Sequence, residues 1–240
     1  KMILYFFHER AWHRISFGIP TRSNRAELVK QENSGNLFHH KSTVSRHQME
    51  ELNQHKSFTI WLTGLSGSGK SSIAAKLDSW FYNEGIRSYV IDGDNTRIGI
   101  NSDLSFSKDD RKENIRRVAE ICKLFNEAGT IVIASFIAPF AEDREMAKII
   151  IGAESFVETF IDASIETCKA RDMKGLYKLA EDGKIKNFTG FDSPYDRPTN
   201  PAIHIHSDSE SLDDSFMKII NHLISHKVVS VLPKVQLSHG

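Results

Sequence analysis

The sequence has few cysteines, no net charge and no long apolar run, and each absence excludes a class of protein. Cys122 and Cys168 are its two cysteines, and neither stands in a C-x-x-C or Cys/His spacing, which excludes a disulfide-stapled secreted domain and a cysteine zinc site. Equal numbers of basic and acidic residues, 31 of each, argue against a general affinity for nucleic acids or membranes. No stretch approaches the ~20 apolar residues of a membrane helix. We therefore expect a protein of a reducing compartment, the cytoplasm, with neither nucleic acid nor membrane as a partner.

The length and composition suit one sizeable core, with 240 residues of which 40% are hydrophobic. The first 56 residues differ from the rest, because they hold nine Lys and Arg, five Asp and Glu, and six of the eleven His. Their Gly, Pro and Ser-Gly-Asn positions are turn signals, and three glutamates between positions 9 and 32 argue against an organelle transit segment. We expect a basic N-terminal extension at 1–56, one catalytic domain at 57–228 and a C-terminal tail at 229–240.

Short apolar runs alternate with longer amphipathic stretches along the domain. Runs rich in β-branched and aromatic residues predict strands at 58–64, 87–92, 130–135, 156–163 and 202–206. The stretches between and after them predict helices at 71–83, 108–128, 143–151 and 212–225. In the second of these helices apolar residues, Cys122 among them, recur at helical spacing, which favours a buried face. The alternation predicts an α/β fold with a parallel sheet.

The strongest chemical signal is a glycine-rich string between the first predicted strand and the first predicted helix. It reads Gly64-Leu65-Ser66-Gly67-Ser68-Gly69-Lys70-Ser71 and matches G-x-x-x-x-G-K-[ST], whose backbone N–H groups cradle phosphates. The N-terminus of the next helix adds its positive dipole end. Lys70 then reaches the β/γ-phosphates, and the Ser71 hydroxyl is a ligand for Mg²⁺. The flanking strand and helix argue against a chance Gly/Ser turn, so the string predicts nucleoside triphosphate binding.

Acidic residues follow the second predicted strand. Asp92-Gly93-Asp94-Asn95 stands there, with Arg97 just beyond, at the carboxyl edge of the sheet where ligands bind in open α/β folds. One carboxylate can join the Mg²⁺ shell, and another can accept a proton from an attacking hydroxyl. The alternative is an Asx turn that caps the next helix.

Basic and aromatic residues surround the start of the long predicted helix. Arg111 and Asn114 are three residues apart and share one helix face, so a guanidinium beside an amide is available for a phosphate or sulfate. Phe106, just before the helix, can stack on a base or pack within a loop. For Lys112 and Arg117, a solvated helix face is the better interpretation.

Residues 171–198 interrupt the alternation of strands and helices and contain three glycines and four lysines. Long insertions often serve as active-site lids. A basic lid would neutralise phosphoryl charge and exclude water from the nucleotide. This layout favours a kinase over a GTPase, and a flexible surface loop is the alternative.

Together these strings resemble, in order and spacing, the adenylylsulfate kinase family. The resemblance covers residues 36–226 and rests on GLSGSGKSS, DGDNTRIGIN, SFIAPFAEDRE and RDMKGLYKLAEDGKIKNFTGFDSPYD. It implies a three-layer P-loop kinase fold with a five-stranded parallel sheet in the order 2-3-1-4-5 and a lid insertion at about 171–198, commonly as a homodimer. It further implies transfer of the γ-phosphate of ATP, with Mg²⁺, to the 3′-hydroxyl of adenosine 5′-phosphosulfate. A sulfate adenylyltransferase is a candidate partner.

The resemblance also implies roles for single residues. Those expected at the phosphosulfate nucleotide are Asp94, Asn95, Arg97, Phe106, Arg111, Asn114, Ile137, Ala138, Lys174, Asn187 and Phe188, with Phe106 and Phe188 enclosing the adenine. The expected ATP site comprises residues 64–71 with Ser72 and Arg171. The expected catalytic residues are Lys70, Asp92, Asp94 and Lys174, and the expected Mg²⁺ ligands are Ser71 and Asp92. Which aspartate takes the proton stays open.

One departure from the family pattern bears on the mechanism. Many members have Ile-Ser-Pro where this chain has Ile137-Ala138-Pro139. Alanine cannot be phosphorylated, which excludes a phosphoenzyme route through this position and favours direct in-line transfer. Asn187, where glycine is common, and Asp196, where glutamate is common, are departures that we expect to be tolerated.

Two other functions are compatible with part of the pattern. A P-loop kinase of another small alcohol or nucleotide would keep Lys70 and the lid but would not need Phe106, Arg111 and Phe188 together with Asn114. A non-catalytic nucleotide-binding module is the other alternative. The intact set of Lys70, Ser71, Asp92, Asp94 and Lys174 argues against it.

Overall fold

A computed structural model describes residues 42–172 and 174–226 of the chain. The chain divides into two units, Lys1–Thr43 and Val44–Gly240. The second unit begins ahead of the boundary that the composition indicated between residues 56 and 57. The extension before residue 42 and the tail at 229–240 lie outside the described residues, so the three-part division of the chain stays a prediction.

Five parallel strands form one sheet in the order β2-β3-β1-β4-β5, which confirms the expected topology. The strands are β1 (Thr59–Thr63), β2 (Ser88–Asp92), β3 (Ile131–Ser135), β4 (Phe156–Asp162) and β5 (Ile203–His206). The central strand β1 pairs with β3 and β4, so that Thr59 lies beside Val132 on one side and Phe156 on the other. Every residue of β1 and β3 is buried, as the continuous apolar runs predicted.

Eight α-helices connect and flank the described strands. They are α1 (Arg46–Asn53), α2 (Lys70–Asn83), α3 (Gly93–Ile98), α4 (Lys108–Glu127), α5 (Ala141–Ile151), α6 (Ile165–Ala170), α7 (Leu176–Glu181) and α8 (Leu212–Ser225), with a 3₁₀ turn at Ala153–Ser155. The four helices predicted from the sequence correspond to α2, α4, α5 and α8, with ends that differ by two residues or fewer. The three-layer architecture is therefore confirmed.

Alternation along the strands divides the core between the two faces of the sheet. Ile60 and Leu62 of β1 belong to one apolar cluster, which includes Leu77 of α2 and Ile219 of α8. Trp61, between them in sequence, lies in the opposite cluster with the α4 side chains, Cys122 included. Successive strand residues face opposite sides of a sheet, so both faces are buried and the carboxyl edge is left for ligands.

Helix α1 anchors the segment that leads into β1. The Glu50 carboxylate accepts hydrogen bonds from the backbone N and the hydroxyl of Ser57, at 3.0 and 2.8 Å. Arg46 donates to Glu50 at 3.0 Å and to the Ser155 hydroxyl at 2.9 Å. Although burial acts against it, the Ser57 and Lys56 hydrogen bonds and the Arg46 charge lower the pKa of Glu50 to about 2. This network ties α1 to the segment that leads into the central strand.

Four helices of eight residues or fewer, α1, α3, α6 and α7, were not predicted from the sequence. Side-chain caps begin three of them, from Ser45, Asp92 and Ser164. Segments this short contain too few apolar residues to show a helical period in the sequence. Within the two described ranges, no helix combines the length and the apolarity that crossing a membrane requires.

Candidate functional site

The glycine-rich string forms a tight loop between β1 and α2. Gly64 has a φ of +153°, and a Cβ built there would lie 2.3 Å from the Ile161 carbonyl oxygen of β4. A side chain would therefore push the loop off the neighbouring strand. The loop closes with a hydrogen bond from Ser68 N to Leu65 O at 3.2 Å, and α2 begins at Lys70. The expected position of the loop at a helix N-terminus is confirmed.

Lys70 lies inside the loop with its ammonium group against backbone carbonyls. Nζ donates to the carbonyl oxygens of Gly64 at 3.0 Å and Leu65 at 2.7 Å. Burial, with a smaller contribution from the charge of Lys174, lowers the pKa of Lys70 to about 8 against the opposing effects of Cys168, Asp92 and Asp94. The ammonium group is thus partly desolvated before any phosphate arrives, which strengthens its attraction for an anion.

The four expected catalytic residues converge although they are spread over more than a hundred positions. Asp92 and Asp94, at the end of β2 and the start of α3, and Lys174, in the lid, all act electrostatically on Lys70. Lys174 donates to the Asp94 carboxylate, a pair in which both side chains are largely exposed, at 62% and 65%. The hydrogen bond to Asp94 raises the pKa of Lys174, an effect that its partial burial opposes. This pair connects the lid to the end of β2.

Asp92 is also a helix cap, so both interpretations of the acidic string apply. Its Oδ1 accepts a hydrogen bond from Asp94 N at 3.0 Å and begins α3. The cap fixes the position of the carboxylate near Lys70. Asp92 and Ser71 supply hard oxygen donors, the ligand type that Mg²⁺ prefers. Asp92 acts electrostatically on Lys70, and Ser71 is the exposed residue that follows Lys70 in the first turn of α2. These residues fit a magnesium ion.

Two arginines flank the exposed ring of Phe106. The guanidinium carbon of Arg97 lies 4.3 Å from the ring centroid, and that of Arg111 lies 5.9 Å from it. Phe106 is 60% exposed. Burial, followed by the charge of Arg97, lowers the pKa of Arg111, whereas Asp192 acts in the opposite direction. Two cations beside an accessible aromatic face form a surface suited to an anionic nucleotide.

Arg111 also joins α4 to the lid. Its side chain donates to the Phe106 carbonyl at 3.0 Å, to the Thr189 hydroxyl at 2.7 Å and to the Asn187 carbonyl at 2.5 Å. The lid residues on either side of Phe188 are therefore held by one guanidinium. Thr189, a buried residue, was not predicted as a site residue, because its role depends on the folding of the lid onto α4.

Asn114 does not share the exposed surface of Arg111. It is buried, and its Oδ1 accepts a hydrogen bond from Asn101 Nδ2 at 3.0 Å. The amide oxygen of Asn114 is thus engaged by Asn101, and its expected contact with the same ligand as Arg111 stays a prediction. Arg116 and Arg117 pair with Glu113, in line with a surface role.

The described residues of the lid pack into a small apolar cluster with residues of neighbouring elements. Tyr177 and Phe188 meet edge to face with centroids 4.9 Å apart, and Leu65 of the loop packs against the same cluster. The Tyr177 hydroxyl donates to Ser66 O at 3.0 Å. A Cβ at Gly190, whose φ is +86°, would come within 2.7 Å of Leu65. The lid therefore rests directly on the phosphate loop.

Phe106 and Phe188 differ in exposure. Phe188 is 8% exposed and packs on Tyr177, whereas Phe106 is open to solvent. Asn187 adopts a φ of +59°, a left-handed conformation that glycine and asparagine favour, which gives a physical reason for glycine in relatives. Enclosure of an adenine by the two rings stays a prediction.

The Ile137–Pro139 segment is fixed by contacts from two elements, β1 and α5. Thr63 at the end of β1 donates to Ile137 O at 2.6 Å, and Arg144 of α5 donates to Ala138 O at 2.9 Å. Ala138 is buried with a φ of +43°. The alanine side chain carries no donor or acceptor, so this segment offers a ligand only its backbone and Ile137.

Two further residues, Arg171 and Ser207, are linked by hydrogen bonds to the phosphate loop. Arg171 donates to the hydroxyl of Ser207 at 2.8 Å and to its carbonyl at 2.7 Å, and the Ser207 hydroxyl donates to Ser68 O at 2.8 Å. Ser207, just after β5, was not predicted from the sequence. Ser72 is exposed beside Ser71 in the first turn of α2.

A parallel sheet in this order, a phosphate loop with a buried lysine and a basic lid define the class of P-loop kinases. The family model for adenylylsulphate kinase matches residues 56–206. An adenylyl-sulfate kinase of Thermodesulfovibrio yellowstonii is 48% identical over 80% of this chain and 96% of its own. A probable adenylyl-sulfate kinase of Bacillus subtilis is 45% identical over 81% of this chain and 98% of its own. The chain belongs to the adenylylsulphate kinase family.

A solved structure agrees with this assignment. The Mycobacterium tuberculosis APS kinase in complex with AMPPNP and APS superposes with a TM-score of 0.68 and 42% sequence identity, covering 71% of this chain and 99% of its own. The chain is therefore a nucleotide-binding phosphotransferase of the family.

Proposed function

We propose that the chain transfers the γ-phosphoryl group of ATP to the 3′-hydroxyl of adenosine 5′-phosphosulfate, giving 3′-phosphoadenosine 5′-phosphosulfate and ADP. One observation carries the proposal: the Asp94–Lys174 pair lies close to both the phosphate loop and a second surface, formed by Arg97, Phe106 and Arg111 and called here the Arg–Phe–Arg surface. Asp94 and Lys174 act electrostatically on Lys70 of the loop, and Asp94 also acts on Arg97. Two anionic nucleotides can therefore be held on either side of a shared acid–base and cationic centre. Relatives that carry this family's name support the same reaction.

The donor nucleotide binds at the loop. Backbone N–H groups of residues 64–71 and the N-terminus of α2 receive the phosphates, and Lys70 leaves part of its carbonyl contacts to reach the β/γ oxygens. Arg171, held by Ser207 next to the loop, faces the same nucleotide. Ser71 and Asp92 would hold Mg²⁺, which supplies charge neutralisation on the triphosphate.

The acceptor nucleotide binds at the Arg–Phe–Arg surface. Phe106 stacks on its adenine, with Phe188 as the second wall contributed by the lid. Arg97 and Arg111 pair with its phosphosulfate, because a guanidinium fork suits tetrahedral anions. Asn95, Ile137 and Asn187 complete the pocket, Asn114 supports it from the interior, and Ala138 contributes backbone. These assignments extend the contacts of Arg111 with Phe106 and the lid.

The phosphoryl group moves directly between the two nucleotides. Asp94 orients the 3′-hydroxyl and takes its proton as the oxygen attacks the γ-phosphorus. The bond from that phosphorus to the β,γ-bridging oxygen breaks, and ADP leaves with the electron pair. Lys70 and Lys174 neutralise charge on the transferring group. Ala138 has no hydroxyl to form a phosphoenzyme, which supports a single in-line step.

The assembly and location of the chain are further parts of the proposal. A homodimer, a sulfate adenylyltransferase as the source of the acceptor, and the division into extension, kinase domain and tail rest on the family resemblance and composition. A reducing compartment, the cytoplasm, is supported by Cys122 and Cys168, which are both buried free thiols.

An acceptor panel tests the proposed reaction. With Mg²⁺ and ATP, the full chain should produce ADP far faster with adenylylsulfate than with AMP, gluconate or shikimate. Mass spectrometry should locate the new phosphate on the 3′-oxygen. Turnover equal across the panel, or absent with adenylylsulfate, contradicts the proposal.

A further inference from the structure

A histidine–carboxylate cluster lies at the carboxyl ends of β4 and β5, outside the residues assigned to either nucleotide. Asp162 is the register partner of His206, and His204 lies two residues earlier on the same face of β5. The nitrogen and oxygen atoms that these three residues offer lie within 4.8 Å of one another. Across residues 42–172 and 174–226, this is the one group of three potential metal-ligating side chains.

We propose that Asp162, His204 and His206 bind a divalent transition-metal ion, represented by Zn²⁺. Two imidazoles and one carboxylate form a ligand set that suits zinc, with water in the fourth position. The site is separate from the expected magnesium ligands, which are oxygen atoms of Ser71 and Asp92. Its existence does not depend on the proposed function.

The geometry requires only small side-chain movements. His204 Nε2 lies 3.0 Å from Asp162 Oδ2, close to the roughly 3.3 Å between two ligands of a tetrahedral zinc ion at about 2.0 Å bond length. The widest separation in the cluster, up to 4.8 Å, has to close by about 1.5 Å. His206 is exposed, so rotation of its side chain can supply this movement.

Neighbouring residues already orient the ligands. The His204 ring stacks on Phe160 with centroids 5.0 Å apart and lies 4.2 Å from the His206 ring. Partners outside the ligand set that fix ring orientation strengthen metal sites. A hydrogen bond to Asp162 needs only one imidazole. The second imidazole beside it is what a metal ion bound by all three side chains would use.

Arg197 competes with the metal for Asp162. Its guanidinium donates to the same oxygen, Oδ2, as His204 does, and its side chain is 63% exposed. The arginine can therefore return to solvent when a metal binds. This competition gives a distinctive expectation, because removing a competing cation strengthens metal binding, whereas removing a ligand weakens it.

The site would stabilise the strand ends that support the phosphate loop. Asp162 O accepts a hydrogen bond from Ser207 N at 2.8 Å, and the Ser207 hydroxyl reaches Ser68 in the loop. A metal bridging β4 and β5 would hold these ends together. Because it binds the native state, it should raise the melting temperature.

Titration with Co²⁺ and Zn²⁺ in the absence of nucleotide tests the proposal. Co²⁺ added to the full chain should give visible absorption bands of a four-coordinate site, and Zn²⁺ should displace them. His204→Ala and His206→Ala should each lower the affinity by about a hundredfold, whereas Arg197→Ala should raise it by about threefold. Circular dichroism verifies that each variant is folded.

A matched control comes from α8, where His222 and His226 also stack, with centroids 4.0 Å apart. His222→Ala should leave the cobalt bands and the zinc-induced rise in melting temperature intact. Loss of the bands in this control, or their persistence in His204→Ala, would overturn the proposal. So would a folded wild-type chain that gives no four-coordinate cobalt spectrum.

Discussion

The two proposed nucleotide sites of this kinase differ in how they are built. The centre of the proposed donor site is one eight-residue string, where a buried lysine contacts backbone carbonyls five and six residues away, and Arg171 is added from the start of the lid. The proposed acceptor surface consists of side chains from α3, the start of α4 and the lid, joined by contacts across 76 to 80 positions. The first site is local and largely preformed, whereas the second depends on the lid. We therefore expect substitutions at the donor site to lower turnover, and substitutions at the acceptor surface to weaken acceptor binding.

The largest effect is expected at Lys70. Lys70→Ala removes the cation that meets the developing charge on the transferring group, and kcat should fall by about a thousandfold. Lys76→Ala is the matched control, because Lys76 lies on the same helix and pairs with Asp213 at the surface; its steady-state kinetics should match the wild type. A Lys70→Ala variant with wild-type kcat would show that the loop does not carry the transfer.

Arg111→Ala should act on the acceptor and leave the donor unchanged. The lost charge-assisted contacts are each worth about 1.5–3 kcal/mol, so KM for adenylylsulfate should rise by about a hundredfold while KM for ATP stays within a factor of three. Arg116→Ala, on the same helix but paired with Glu113, should change neither constant. An equal rise in both KM values would contradict the separation of the two sites.

The pH dependence of ATP binding should identify the buried lysine. Phosphate favours charged Lys70, so binding raises its pKa above the value of about 8 in the free protein. The contribution of the ammonium group is complete below pH 8 and declines as pH rises through that value. The Kd of a non-hydrolysable ATP analogue, measured by calorimetry, should therefore rise about tenfold from pH 7 to 9. Lys70→Met should bind more weakly and lose this dependence.

The smallest effect is expected at Ala138. Ala138→Ser restores the hydroxyl that many relatives carry, on a buried residue whose carbonyl is already fixed by Arg144. One neutral hydrogen bond contributes about 1 kcal/mol, so KM for adenylylsulfate should change by no more than about fivefold. A larger gain, measured by the same assay, would show that this position contributes more to the acceptor pocket than its backbone.

The same difference between local and assembled sites explains how far the sequence could predict the structure. The strands and the long helices followed from apolar runs and helical spacing, and the sheet order followed from a family resemblance. The loop could be located because its chemistry lies in consecutive residues. Thr189 and Ser207 could not be found, because each matters through a partner distant in sequence, Arg111 and Ser68 respectively. Asn114 shares its helix face with Arg111, yet it pairs with Asn101 in the interior. Spacing along a helix does not reveal which neighbouring segment covers each residue.

The seating of the lid on the loop has a consequence for the order of events in turnover. Tyr177 donates to Ser66 O, and Gly190 closely approaches Leu65. The phosphate loop, proposed to bind ATP, is therefore in direct contact with the lid, proposed to cover the acceptor nucleotide. A ligand that stabilises the lid in contact with the loop also strengthens ligand binding at the loop. By thermodynamic linkage, a ligand at the loop stabilises this position of the lid by the same coupling free energy. We therefore expect the release of ADP and the release of the sulfated product to be coupled through the lid.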